Sequence, residues 1–153
     1  PVGPLLLAGN HEGLQVLSFG VGSRPRAVDP GWMVDASGIL DGVRHELDEY
    51  FAGRLKRFTT PVTFGGTSFQ HQVWEELCRI PYGETISYLE LANRINNPKA
   101  VRAVGLANGA NPIAIIVPCH RVIGANGSLT GFGGGLPTKR ALLELERGQR
   151  TLL

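Results

Sequence analysis

Residues 87–124 read "SYLELANRINNPKAVRAVGLANGANPIAIIVPCHRVIG". Ser87-Tyr88-Leu89-Glu90 is a capping-box pattern, and it opens a short helix through Leu91, Ala92 and Ile95. Asn96-Asn97-Pro98 breaks that helix, with Asn97 placed as the cap and Pro98 as the first residue of the next. The second helix turns Val101, Val104 and Gly105 inward and leaves Lys99, Arg102 and Ala103 on other faces. Two short helices around a tight turn, the second rich in alanine and glycine so that backbones can approach, predict a helix-turn-helix. Helical hairpins of this size are also ordinary core structure. Asn111-Pro112 ends the second helix, and "IAIIV" (113–117) reads by its β-branched content as a buried strand that delivers Pro118-Cys119-His120-Arg121.

Upstream, "GPLLLAGNHEGLQVLSFG" reads as two antiparallel strands joined at the turn residues Gly9, Asn10 and Gly13. "VGSRPRAVDPGW" has no periodicity and reads as loop. Leu40, Val43, Leu47, Tyr50 and Phe51 recur at helical spacing, with Gly53 placed to end the helix, and "TTPVTFGG" is an extended link. A capping box at Thr67-Ser68-Phe69-Gln70 starts another helix with Phe69, Val73 and Leu77 on one face, stopped by Pro81-Tyr82-Gly83. Cys78, four residues after Trp74, reads there as a small buried thiol. Downstream, six glycines within residues 124–136 lack a Gly-Lys-Ser/Thr signature, so a flexible wall over a flat ligand fits better than a phosphate loop. "PTKRALLELERG" then forms a last helix with Leu142 and Leu145 on one face, carrying Glu146 and ended by Gly148. The expected fold is α+β: a small N-terminal α/β lobe with antiparallel strands over 1–60, and a mainly helical lobe with the helix-turn-helix over 66–153.

A chain of 153 residues with 42% hydrophobic content can bury its own core. No membrane-length apolar stretch or secretory leader is evident, so the chain reads as soluble and intracellular. Two cysteines, Cys78 and Cys119, fall in different structural patterns with no secreted framework around them, and both read as reduced thiols. No Cys-x-x-Cys or His-x-x-x-His spacing occurs, so neither metal nor cofactor is expected. Net charge is only +2, but residues 85–121 hold Arg94, Lys99, Arg102 and Arg121 against Glu90 alone. Such a stripe suits a polyanion such as nucleic acid, and equally a solvated face.

Cys119 and His120 are the residues with chemistry in them. A cysteine attacks as thiolate, and a neighbouring imidazole can lower its pKa. Adjacent residues of a strand point to opposite faces, so the two cooperate only if the chain bends at Pro118 or a water bridges thiol and imidazole. Glu146 is the natural third member, holding the tautomer and stabilising a charged imidazole. A Cys-His pair can equally be structural.

Taken in order, "PYGETISYLELANRINNPKAVRAVGLANGANPIAIIVPCHRVIG", "LTGFGGG" and "KRALLELE" closely resemble the active-site lobe of the O6-alkylguanine-DNA alkyltransferases, the methylated-DNA–protein-cysteine methyltransferases. The resemblance is dense over 66–148 and weaker over 1–65, where the "PVGPLLLAG…EGL" opening carries it. It implies that Cys119 accepts an alkyl group irreversibly, activated by His120 through a water and by Glu146, with Asn111 bracing the turn. It implies double-stranded DNA as partner, met by Tyr88, Arg94, Lys99, Arg102 and Ala103, with Tyr88 pushing out the nucleotide and Arg102 filling the gap. The guanine pocket would comprise Tyr88, Val122, Phe132, Gly133 and Gly134. A monomer in the cytoplasm, or wherever the DNA lies, is expected. Phe132 stands where the family has tyrosine, which bears on substrate range, and Leu89 stands where a smaller or polar residue is common. Pro1 begins about where the first strand should be under way. The rivals are a non-catalytic lesion binder, which would lack the acceptor cysteine, and a cysteine hydrolase using Cys119, His120 and Asn111 or Glu146, which would turn over.

Overall fold

The computed structural model describes residues 3–20, 32–35, 38–129 and 132–148. Strands β1 (Leu5–Asn10) and β2 (Gly13–Phe19) form the expected antiparallel hairpin, with an irregularity between Ala8 and Gly9. Most of the loop expected after it lies outside the described residues. β2 buries Leu14, Val16, Leu17 and Phe19, and its backbone also binds two distant segments. Leu14 exchanges hydrogen bonds with Pro61 and Thr63, and Leu17 with Pro112 and Ala114, all at 2.8–2.9 Å. These bonds fix the hairpin to both the interlobe link and the stretch that leads to Cys119.

Helix α1 (Asp41–Phe51) buries Val43, Leu47 and Tyr50, and Gly53, at φ 80°, takes the left-handed turn that ends it. The Asp35 carboxylate accepts from the Gly38 and Leu40 amides just ahead of the helix. Helix α2 (Ser68–Leu77) has the full capping box, Thr67 and Gln70 each bonding the other's backbone. It buries Val73, Trp74 and Leu77, and the Trp74 indole donates to Ala107 O at 2.8 Å. Each such aliphatic side chain contributes roughly 1.5–3 kcal/mol of burial. Cys78 is exposed, contrary to the buried thiol expected: at the C-terminus of α2 it keeps the helical register but falls one turn beyond the exposed Glu75.

Two-residue strands β3 (Ile86–Ser87) and β4 (Val122–Ile123) pair in parallel. Helix α3 (Tyr88–Arg94) is capped by Ser87 Oγ alone; Glu90, expected to reciprocate, pairs with Arg94 instead. A 3-10 turn (Pro98–Ala100) leads into α4 (Val101–Gly109), completing the helix-turn-helix, although Asn97 caps with no side-chain bond. Val104, Ala107 and Asn108 are buried. A Cβ at Gly105 would meet only the Tyr88 ring, at 3.9 Å, so close packing does not require glycine there.

Residues 113–117, buried except for the half-buried Ile116, are not a strand. Asn111 Oδ1 accepts from Ile113 N and its Nδ2 donates to Val117 O at 2.7 Å, while Val117 N returns to Ile113 O, closing a compact turn. Ile115 takes φ 71°, rare for a β-branched residue. The β-branched run reflected burial, and the asparagine side chain outcompeted the ladder for backbone partners. Helix α5 (Leu136–Glu146) closes the fold, burying Lys139, Leu142, Leu145 and Glu146. One hydrophobic cluster joins β2, α1, α2, α3, α4, the 113–117 turn and α5.

Candidate active site

Cys119, His120 and Arg121 form a single 3-10 turn, so the chain does bend at Pro118 and all three side chains are buried. Cys119 N donates to Val117 O at 2.8 Å, tying Cys119 to the turn that Asn111 braces. The thiol borders a cavity of about 100 Å³ lined also by Leu17, Phe19, Asn108, Asn111, Phe132 and Gly134. Phe19 and Phe132 meet with ring centroids 5.4 Å apart, forming an aromatic wall from both lobes. A Cβ on Gly134 would come within 2.5 Å of Phe19, so that wall requires glycine. Asn108 donates to Cys119 O at 3.4 Å.

His120 Nε2 lies 2.7 Å from Glu146 Oε2, the arrangement expected of the third member. His120 Nδ1 is buried with no hydrogen-bond partner, leaving one ring nitrogen available toward a water or thiol. Sequence reasoning missed how crowded Glu146 is. Arg121 binds it in bidentate fashion, Nε to Oε1 at 2.7 Å and Nη2 to Oε2 at 2.9 Å, and Tyr50 donates to Oε2 at 2.6 Å. Arg121 also donates to Ile80 O at 2.7 Å. Arg121, counted in the basic stripe, is therefore a buried partner of Glu146 and not a surface cation. Lys139 was missed too: its ammonium is fully buried and donates to Val122 O at 2.7 Å. Its spacing of seven from Glu146 places both on one helix face, a signal the sequence did carry.

Burial pushes the Cys119 thiol up, against the pull of Asn111 and the Lys139 ammonium. Burial pushes the His120 imidazole down, reinforced by Arg121 and Lys139 and opposed by Glu146. Burial would raise Glu146, but its bonds to His120 and Arg121 prevail and keep it well below the carboxylate range. At rest the pair is therefore a thiol beside a neutral imidazole. The imidazolium expected from the sequence is disfavoured because His120 is buried, with Arg121 and Lys139 adding to the effect of burial.

Among the surface residues expected to meet DNA, Lys99, Arg102 and Ala103 are exposed on the 3-10 turn and α4. Arg94 is exposed but paired with Glu90, and Tyr88 is half-buried against Gly105. Phe132, Gly133 and Gly134 line the cavity beside Cys119; Val122, fully buried, and Tyr88 do not. No group of three or more His, Cys, Asp or Glu suited to a metal exists among the described residues. None of their helices is long and apolar enough to cross a membrane.

The fold thus sets a buried thiol, Cys119, next to a buried imidazole–carboxylate pair, His120 and Glu146, in the same lobe as a helix-turn-helix. Residues 68–148 match the DNA-binding domain of 6-O-methylguanine DNA methyltransferase, and residues 1–64 match the ribonuclease-like domain of the same family. A methylated-DNA–protein-cysteine methyltransferase of Methanosarcina acetivorans is 53% identical over 95% of this chain and 93% of its own length. One from Mycobacterium tuberculosis is 52% identical over 97% and 89%. The M. tuberculosis OGT structure in complex with DNA superposes with TM-score 0.89 at 53% identity, over 99% of this chain and 91% of that one. The chain belongs to the 6-O-methylguanine DNA methyltransferase family.

Proposed function

We propose that this protein repairs double-stranded DNA by transferring the alkyl group of O6-alkylguanine to Cys119, once per molecule. The observation that carries it is the buried thiol bordering a cavity walled by Phe19 and Phe132, with the hydrogen-bonded His120–Glu146 pair beginning at the next residue. In the transfer, the Cys119 sulfur forms a bond to the alkyl carbon as the bond from that carbon to guanine O6 breaks. His120 takes the thiol proton through a water, and the departing guanine regains a proton. Because thiol and imidazole are both uncharged at rest, the proton leaves as sulfur attacks. The thioether product has no leaving group, so the event ends the molecule's activity.

Guanine O6 is shielded in a duplex, so the nucleotide must leave the stack at a cost of a few kcal/mol. Tyr88 and Arg102 are placed to assist, with Lys99 and Ala103 on the same approach, the arginine filling the vacated space. This recognition concerns backbone and shape, which suits damage in any sequence. The active-site lobe over 66–153 carries these parts, with 1–60 as its support. The protein acts as a monomer in the compartment that holds the DNA, the cytoplasm of a cell without a nucleus. The presence of Cys119 argues against a lesion binder that does no chemistry.

Intact mass after mixing with duplex DNA bearing one O6-methylguanine tests the reading. The expected result is one alkyl group per protein, mapped to Cys119; repeated turnover would indicate the hydrolase. Arg102→Ala should slow repair of the duplex about tenfold or more, a loss of about 1.4 kcal/mol or more from the cost of unstacking. Its reaction with free O6-benzylguanine should be unchanged. Equal losses on the two substrates would place Arg102 in the fold or the pocket.

A further inference from the structure

Three donors converge on one oxygen of Glu146: Tyr50 Oη at 2.6 Å, His120 Nε2 at 2.7 Å and Arg121 Nη2 at 2.9 Å. We propose that Tyr50, on helix α1 of the N-terminal lobe, is a positioning residue of the transfer site whose hydroxyl shares Glu146 Oε2 with His120 and thereby sets how basic His120 is. The proposal rests on the reading of Cys119 as alkyl acceptor activated through His120.

Tyr50 is 0% exposed, and its ring is fixed by Phe51, Phe58 and Tyr82, with centroids 5.4, 5.4 and 6.3 Å away. A buried phenol needs a partner, and a backbone carbonyl would satisfy it. Here the partner is the carboxylate oxygen that orients the imidazole, 96 residues away in sequence. An ionised carboxylate offers about four lone-pair sites over its two oxygens, so three donors on Oε2 compete. A phenol that donates to a carboxylate makes a short, charge-assisted bond and withdraws electron density from the oxygen. The Tyr50 hydroxyl therefore weakens the pull of Glu146 on the His120 proton and favours the neutral, accepting form. The other ionisable groups facing this cluster are Arg121, Lys139, Tyr82 and Cys119, with Cys78 facing Arg121. Consistent with a protonated donor, burial first and then Glu146 hold the Tyr50 hydroxyl well above the ordinary phenol range.

The sign follows. Without the hydroxyl, Oε2 bonds His120 more strongly, the imidazolium is better stabilised, and His120 becomes protonated at higher pH. The test is the single-turnover rate of the whole chain with O6-benzylguanine as a function of pH, for wild type, Tyr50→Phe and Phe58→Leu. The acidic limb of the profile should move up by about half to one pH unit in Tyr50→Phe, the scale of one shared hydrogen bond to a charged group. It should stay in place in Phe58→Leu, which loosens the same aromatic cluster without touching Glu146. An unmoved limb in Tyr50→Phe, or an equal shift in Phe58→Leu, overturns the proposal. Should Tyr50→Phe fail to fold, proton NMR of the wild type decides: a downfield, slowly exchanging hydroxyl resonance that Glu146→Gln removes supports it, and the lack of such a resonance overturns it. If wild type gains no alkyl group on Cys119, the reading of the reaction fails; if the group is gained and the limb does not move, only the role of Tyr50 fails.

Discussion

Cys119→Ser should lose alkyl transfer by about 10⁴-fold or more, the scale on which removing a nucleophile acts, with the fold and DNA affinity retained. In the proposed reaction sulfur attacks because a thiol can give up its proton within reach of neutral pH, whereas a serine hydroxyl cannot. The site does not assist by making a resting thiolate, since burial raises Cys119 and lowers His120. A hydroxyl in the same place would therefore begin with a far larger deprotonation cost and the same weak base. Serine is also slightly smaller than cysteine and can hydrogen-bond toward Asn111, which Cys119 already faces, so the buried turn should tolerate it. The measurement is intact mass after incubation with methylated duplex, beside thermal denaturation and a DNA titration. A serine variant that still gains the alkyl group would show that another residue is the acceptor. The wild-type rate with a small substrate should also climb with pH beyond about 8.5, the ordinary thiol pKa, because the folded-state thiol titrates above it.

Arg121→Met should cost about 3–5 kcal/mol of stability, the scale for removing one partner of a buried ion pair. Arg121 neutralises Glu146 through two hydrogen bonds and satisfies the Ile80 carbonyl with a third. Methionine fills similar space and leaves the carboxylate with only His120 and Tyr50. Glu146 is held below its unfolded pKa, so its contribution is present above the ordinary carboxylate range and is lost as pH falls beneath it. In Arg121→Met, where the carboxylate has lost that partner, the loss should shrink or reverse, because protonation then removes the stranded charge just as Glu146→Gln does. Urea denaturation at neutral and mildly acidic pH measures both effects. Adding Glu146→Gln to Arg121→Met should recover part of the stability by removing the stranded charge; a single variant within 1 kcal/mol of wild type, on the order of a surface pair, would show the pair to be solvated.

The sequence displayed its helices well because their signals are local. Thr67 and Gln70 spell the capping box they form, and Gly53 stops α1 where a left-handed residue is needed. It also displayed Cys119, His120 and Glu146, since the first two are adjacent and the third falls on the buried face of α5. What it hid depends on distance along the chain. Tyr50 and Arg121 look like a core aromatic and a basic-stripe cation until the fold brings both to Glu146. Residues 113–117 misled because β-branched side chains report burial as readily as extension, and only the asparagine ahead of them reveals the turn. Cys78 misled because it is four residues from buried Trp74 but three from exposed Glu75, and at the helix end it takes the exposure of the latter.

The bonds from Leu17 to Pro112 and Ala114, and from Tyr50 to Glu146, place Cys119 where early and late parts of the chain meet. Closing a loop of 96 residues has an entropic cost that grows only slowly with length, but it must be met before the contact returns anything. α1, α2 and the helix-turn-helix can gain structure from near neighbours while the chain is still emerging. The His120–Glu146 pair cannot, because its partners lie 26 residues apart and α5 is made after the turn that holds His120. A chain made only as far as Cys119 thus holds its thiol without Glu146, and the His120–Glu146 pair can form only once α5 has been made and has packed.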